Sequence, residues 1–424
     1  MKVTINGTDY TRLKNLSFAP ETDVRGDALP INGFSVDILT GDAIEYGQYA
    51  LLYDDRGNLW AKYWIVYAEK KDEQTVSVKA QSLIALLDRK TLPATMYAAE
   101  NPETLIKSLF DDPSDVTLDT YDPTDFISGF CPEQTARERL QQICFAIGAY
   151  VQTYGLDHVE VRHLSSAERL IPLRHTFWKP ARQYADFVTA VTVTAYAYTE
   201  ATPATTDEWV EADGHYYVVT KRAYTLTNPD VPATAPENVI SVDGVGLVHD
   251  ANAAAILTRL GMQYFKRQSL EADVINNSDF WPGQRVMVYA NDKEIDVGYI
   301  ESAAFSFGVQ ARSRLTLTAV EAKEVAEIVI RYLWTDIELG RDTITLPVGY
   351  AYSIDNPVIE TPLASHVYVF RPQTDSTSGT VVSGGATVDV PYDVALDMHN
   401  GILTVLDVDE LAFDEDETDV VVIE

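Results

Sequence analysis

Between Val36 and Ala80 the chain is cut into runs too short for helices and too regular for loops. Val36-Asp37-Ile38-Leu39, Tyr49 to Tyr53, Leu59 to Tyr67 and Thr75 to Ala80 are β-branched or aromatic, and Asp54-Asp55-Arg56-Gly57-Asn58 supplies a turn between the second and third. Closely spaced strands joined by such turns suit a small barrel or sandwich. The same beat returns later. Phe187 to Tyr198 alternates, with Val191, Val193 and Ala195 on one face and Thr192, Thr194 and Tyr196 on the other. Leu270 to Ile275, Arg285 to Tyr289, Ile295 to Ile300 and Arg312 to Val320 are further short strands. Trp281-Pro282-Gly283 forms a tight turn entering one of them, since Pro presets φ and Gly permits a positive one.

Helical signals interrupt this pattern in few places. Ser82 to Leu87 has room for one or two helical turns. Asn101-Pro102 caps a helix with Leu105, Ile106, Leu109 and Phe110 on its apolar side. Thr135-x-x-Glu138 is a capping box. After it Leu140, Ile143, Cys144 and Ile147 fall at i, i+3, i+4 and i+7, and Gly148 supplies the stop. Asp250 is the expected cap of a later helix carrying Ile256, Leu257, Leu260, Tyr264 and Phe265.

The expected fold is therefore mainly β with an α+β insert. The boundaries are 1–88 for a first β-barrel, 89–172 for an α+β module and 173–324 for a second β-barrel. That second barrel carries a long hairpin excursion over 199–237 and a helix over 250–267. Glu321-Ala322-Lys323-Glu324 reads as a polar joint. Residues 325–424 then form a separate small β domain, sandwich-like, with Gly and Pro between short strands. No Lys or Arg follows Arg371, while 13 acids do.

Composition excludes several functions. The chain of 424 residues is 46% hydrophobic and 23% charged, ordinary values for a folded protein. Its 64 acids against 32 bases give a net charge of −32. Stable binding to nucleic acid or to an anionic membrane needs a cationic face, so neither is expected. Two cysteines build no disulfide framework. The N-terminus shows no apolar signal core, and no apolar run has the length of a membrane helix, so a soluble chain without an address of its own is expected.

Candidate chemistry is sparse. Val239 to His249 holds a strand and a Gly244-Val245-Gly246 turn before a helix, the parts of a dinucleotide fingerprint. However, His249 stands at the third glycine position and Asp250 would repel phosphate, so a plain turn is expected. Cys131, Cys144, His158 and His163 lack the close cysteine spacing of a zinc site. The acidic stretch Asp407 to Asp419 lacks the ligands of a calcium loop, with Leu411 and Ala412 at key positions. Chance acid pairs carry no weight, and no metalloprotease, serine-hydrolase or phosphate-loop motif occurs. No catalytic, cofactor or metal residue is assigned, no cofactor is expected and no enzyme activity is expected. Trp60, Tyr63, Trp64 and Tyr67 alternate along one strand, an arrangement of core and interface packing more than of a sugar platform.

Five stretches carry a family resemblance. Thr135 to Val151, with its capped helix, resembles a helix of baseplate hub and tail-associated proteins of tailed bacteriophages and phage tail-like particles. Val78 to Arg89 is similar to the exit of their first barrel. The helix Ala253 to Arg267, the turn Trp281 to Val286 and Gly298-Tyr299-Ile300-Glu301-Ser302 resemble the entry and strands of their second. The resemblance spans roughly residues 1–324. It implies two similar β-barrels with a small α+β module between them, and a homotrimer whose six barrels match a hexameric tail tube to a threefold tip. It also implies a structural protein of the virion tail, made in the bacterial host cytoplasm. Its implied neighbours are a tail tube or distal tail protein, a tape-measure protein and tail-tip or receptor-binding proteins. The alternative is a host-recognition or carbohydrate-binding tail-tip protein acting through the C-terminal β domain. A cell-wall hydrolase is a third class, without a lytic motif to support it.

Overall fold

The structure is a computed structural model. It describes residues 1–324 except 120–125, 167, 172–175, 178–179, 205–206, 276–279, 292–293 and 308–311, and beyond 324 only strand segments. Among the described residues the protein is mainly β. It divides into two compact units, Met1–Ser166 with Ala181–Arg285 and Gly298–Val320, and Ala167–Pro180 with Val286–Val297 and Glu321–Glu424.

In the first unit seven strands open the chain: β1 (Lys2–Ile5), β2 (Thr8–Tyr10), β3 (Leu13–Phe18), β4 (Gly33–Leu39), β5 (Tyr49–Tyr53), β6 (Leu59–Asp72) and β7 (Thr75–Gln81). They pair antiparallel in the order β3-β4-β7-β6-β5-β1-β2. The expected turn between β5 and β6 forms because Asp54 accepts the backbone N–H of Arg56 and Asn58, each at 2.8 Å. Gly57 there has φ of +87°.

The order does not stop at β3. It continues through Glu294–Ser306, Arg312–Glu324, Gln268–Ile275 and Ala181–Tyr184. The two strand groups expected as separate barrels thus share one hydrogen-bonded order. Their seam is narrow. Among the described residues its backbone pairing comprises Phe18–Phe305, a bridge between Glu21 and Ser302, and the bonds Thr22 N to Glu301 O (2.9 Å) and Ala303 N to Pro20 O (3.0 Å). The tetrapeptide read as a polar joint, Glu321 to Glu324, is the end of the strand Arg312–Glu324. The backbone stays extended past Val320, the last buried apolar residue of that strand.

An α+β segment follows β7. A 3-10 helix (Leu83–Arg89) leads to α1 (Pro102–Leu109) and α2 (Ala136–Ile147). Asn101 caps α1 by accepting Thr104 N–H at 3.0 Å. The Thr135–Glu138 capping box is formed in both directions, and Gly148 ends α2 at φ of +77°. Leu140 and Ile143 are 0% exposed and pack with Leu83, Ile84, Ile106 and Val161.

The alternating run forms the strand Ala190–Glu200, paired with His215–Thr227 over eleven positions. Trp209–Ala212 extends one edge and Val239–Val242 the other, the latter in parallel. Helix α3 (Ala253–Tyr264) covers the inner face, packing Ile256, Leu257 and Leu260 on Val191, Val193 and Ala195. Asp250 does not cap this helix, contrary to expectation. Asn252 holds the N-cap position, and its side chain binds the preceding turn instead, accepting His249 N–H (2.8 Å) and donating to Leu247 O (3.0 Å). That turn occupies the residues a helix starting at Asp250 would need. Asp250 accepts the Tyr224 hydroxyl at 2.9 Å.

In the second unit, Glu168–Ile171 pairs with Arg285–Asn291. Farther on, Trp334–Glu338, Ser378–Ser383, Tyr368–Pro372 and Val420–Val421 make one small sheet, and Thr343–Thr345, Ile402–Val405 and Val394–Asp397 another. Residues 386–390, where β-branched residues read as one of the short strands of this domain, and the acidic stretch Asp407–Asp419 lie outside the described residues.

Candidate interaction surface

The four aromatics of β6 do not simply alternate. Tyr53 pairs with Leu59 and Leu52 with Ala61, so Trp60 is an extra residue in a bulge. A second bulge sits at Val66, between the pairs Ile65–Ala80 and Tyr67–Lys79. Each bulge shifts the period-2 phase by one. The result turns Trp60 and Tyr63 inward, at 2% and 0% exposure, and leaves Trp64 half-buried and Tyr67 exposed on the other face.

The inward pair belongs to an aromatic core at the seam. Trp60 lies 5.8 Å from Phe18, 5.8 Å from Trp281 and 4.5 Å from Phe305 between ring centroids. Phe18 and Phe305 stack at 5.5 Å.

The outward residues build a surface. Trp64 meets Tyr49 edge-on at 5.2 Å and Tyr46 at 6.4 Å. Tyr46 is 58% exposed. Three cations rest on these rings: Lys62 at 5.4 Å from Tyr49, Lys79 at 5.3 Å from Tyr67, and Arg89 at 5.8 Å from Tyr46 and 5.9 Å from Trp64. Arg89 also donates to the Tyr46 hydroxyl, and Lys62 reaches Asp115 at 3.6 Å. Exposed cation–ring contacts of this kind are each worth about 0.5–1 kcal/mol. The face is thus an ordered aromatic patch bearing three cations, with Asp115 beside Lys62 and Glu69 accepting the Tyr67 hydroxyl.

A second surface lies at the far end of the Ala190–Glu200 and His215–Thr227 ribbon. Near α3 the ribbon's inner face is buried. Toward Glu200 and His215 it becomes exposed on alternate and then successive positions. Asp213 and Gly214, with φ of +53° and +80°, make the hairpin turn that suits the strand twist. Trp209 and Tyr216 sit beside it, 47% and 43% exposed, with rings 5.2 Å apart. Residues 200–220 hold Glu200, Asp207, Glu208, Glu211 and Asp213 and neither Lys nor Arg.

The sequence motifs resolve into structural roles. Gly246 meets Gly129 where two backbones touch. A Cβ on Gly129 would stand 2.2 Å from Gly246 O, and one on Gly246 would stand 2.1 Å from Phe130 O. Phe130 N–H and the Tyr198 hydroxyl both donate to Gly246 O at 3.2 Å. Asp243 accepts the Gly244 N–H at 2.8 Å and the Tyr196 hydroxyl. The glycines therefore admit a neighbouring strand, and the carboxylate occupies the turn's donors.

Cys131 contacts Gln142 Oε1 at 3.5 Å, and Cys144 faces the core of α2. His158 pairs with Asp157 at 2.8 Å, and His163 lies 3.2 Å from Ile147 O. Among the described residues no three His, Cys, Asp or Glu side chains converge on a metal-sized point. Burial pushes both thiols up to about 12. A thiolate is the reactive form, so both cysteines should be inert at neutral pH. Native protein treated with a thiol reagent at pH 7 is expected to label at well under a tenth of the rate in urea. Rapid native labelling would contradict the buried positions.

Charged groups gather where α2 and α3 meet the loop after β3. Arg259 donates to Phe145 O at 2.8 Å and lies 4.9 Å from the Phe145 ring; burial lowers its pKa to about 10. Burial raises the carboxyl of Asp27, which accepts the Tyr264 hydroxyl. Arg259 and Asp27 tie the loop to both helices through a backbone carbonyl and a tyrosine hydroxyl.

No protein-family model matches the sequence, and neither does any curated protein. Solved structures do match the fold. A tail protein from Neisseria meningitidis MC58 aligns over 75% of this chain and 95% of its own, with 15% identity and a TM-score of 0.51. The 43 kDa tail protein of prophage MuSo2 from Shewanella oneidensis aligns over 75% of this chain and 97% of its own, with 12% identity and a TM-score of 0.52. At these identities the likeness is one of fold.

Proposed function

We propose that the chain is a structural baseplate hub protein at the distal end of a phage or phage-like tail. It forms a trimeric ring that adapts a hexameric tail tube to a threefold tip. The observation that carries this reading is the shared fold with two tail proteins over nearly their whole length. The two strand groups in one order supply two tube-facing repeats per chain, and three chains close them into six. Neighbours in the particle are the tail tube or distal tail protein, the tape-measure protein and tail-tip or receptor-binding proteins. Residues 325–424 are an appendage on this ring. A net charge of −32 suits a conduit, because an acidic wall repels passing DNA.

The test is the mass of the purified chain by light scattering across concentration, alone and with a tail-tube partner. A trimer is expected. A chain that stays monomeric alone, with its partner and in the particle defeats the hub reading.

A further inference from the structure

A ring built from one kind of chain closes through a heterologous contact, in which two different surfaces of the same chain meet. For this chain that contact faces an obstacle. Copies carrying −32 each repel one another, so the interface must bring positive charge from one copy onto negative charge of the next. The two surfaces described above meet that requirement. The outer face of β5–β7, with Arg89 from the end of the following 3-10 helix, presents Lys79 over the Tyr67 ring, whose hydroxyl donates to Glu69, and Arg89 over the rings of Tyr46 and Trp64. The ribbon end presents Asp207, Glu211 and Asp213, all exposed, beside Trp209 and Tyr216. Both surfaces expose large aromatic area. Tyr, Trp and Arg are the residues that concentrate at the energetic centre of protein interfaces.

We infer that the acidic ribbon end of one copy docks on the aromatic, cationic face of β5–β7 in the next copy. The inference rests on the trimeric-ring reading and deepens it by naming the two surfaces that close the ring. The ordering of the face fits this role. Its rings and cations already hold one another, so little side-chain freedom is lost when a partner arrives. The ribbon end is a three-stranded piece anchored on α3, which fixes its direction while leaving its tip free of the chain's own core.

The experiment is a charge-swap cycle on the full chain. Arg89→Glu and Glu211→Lys are made singly and together, and the trimer–monomer midpoint concentration is measured by sedimentation. Each single change is expected to raise the midpoint about tenfold or more, as for a lost close charge pair. The double variant should return to within about threefold of wild type, the signature of direct coupling. Both residues are exposed, so circular dichroism of each variant should match wild type; Arg89→Glu gives up its ring contacts and should melt slightly lower, while Glu211→Lys should melt as wild type. A wild-type trimer indifferent to either single change, or a double variant weaker than both singles, overturns this contact and leaves the ring intact. A wild type that never trimerises overturns the ring and this contact with it.

Discussion

Ile143→Asp is expected to unfold the α+β segment. Ile143 is 0% exposed and lies on α2 among Leu83, Ile84, Ile106 and Val161. An unpaired carboxylate there costs several kcal/mol, on the order of 5, either as a buried charge or as a carboxyl forced to take up a proton. A domain's whole margin is about 5–15 kcal/mol. The helix itself supplies little to offset it, since a 12-residue helix is marginal without its packing face. Ile143→Val keeps the apolar contact and should cost about 1 kcal/mol. Thermal melting of both variants checks this, with hydrogen exchange over residues 83–163 to localise the loss. Wild-type melting of the Asp variant would mean that another side of α2 faces the core.

Trp60→Ala should be nearly as damaging. It removes a ring that touches Phe18, Trp281 and Phe305 at the seam between the two strand groups. Truncating a buried aromatic to Ala costs about 3–5 kcal/mol, because the surroundings close the cavity only in part. The indole N–H finds no hydrogen-bond partner among the described residues. Trp60→Phe therefore gives up no polar contact and should cost under about 1.5 kcal/mol. Urea midpoints separate the two variants. Equal losses would mean that ring volume at this position is not what holds the seam.

The signals legible in the sequence were the local ones. The period-2 runs became strands because each buries one face, and the capping box at Thr135 began α2 because both of its hydrogen bonds close within four residues. Non-local facts were illegible. The bulges at Trp60 and Val66 leave no mark in composition, yet they sort four aromatics into a core pair and a surface pair. That is why the aromatic, cationic face could not be assembled from the strand pattern. Asp250 lost the cap to Asn252 through bonds to Leu247 and His249, which a propensity ranking does not see. The Gly244-Val245-Gly246 turn carried the look of a phosphate site. What it accommodates is a carbonyl from a strand more than a hundred residues upstream, around Phe130.

The narrow seam also sets the order in which the chain can be put together. The first seven strands find their partners within the first 81 residues, so that part of the sheet can form while later residues are still being synthesised. The seam cannot. Arg25 and Thr318, which share a hydrogen bond across it, are 293 positions apart. Contacts at such separation come late and slowly, because loop closure must precede any gain. Until then β3 is an open strand edge, the kind that invites pairing with other chains. Its own sequence guards it. The register breaks between Lys14 and Ser17, Asn15 takes a φ of +51°, and Lys14 holds an exposed charge on that edge. The irregularity that makes β3 a poor strand in isolation also makes it a poor template for another chain before the last strands arrive.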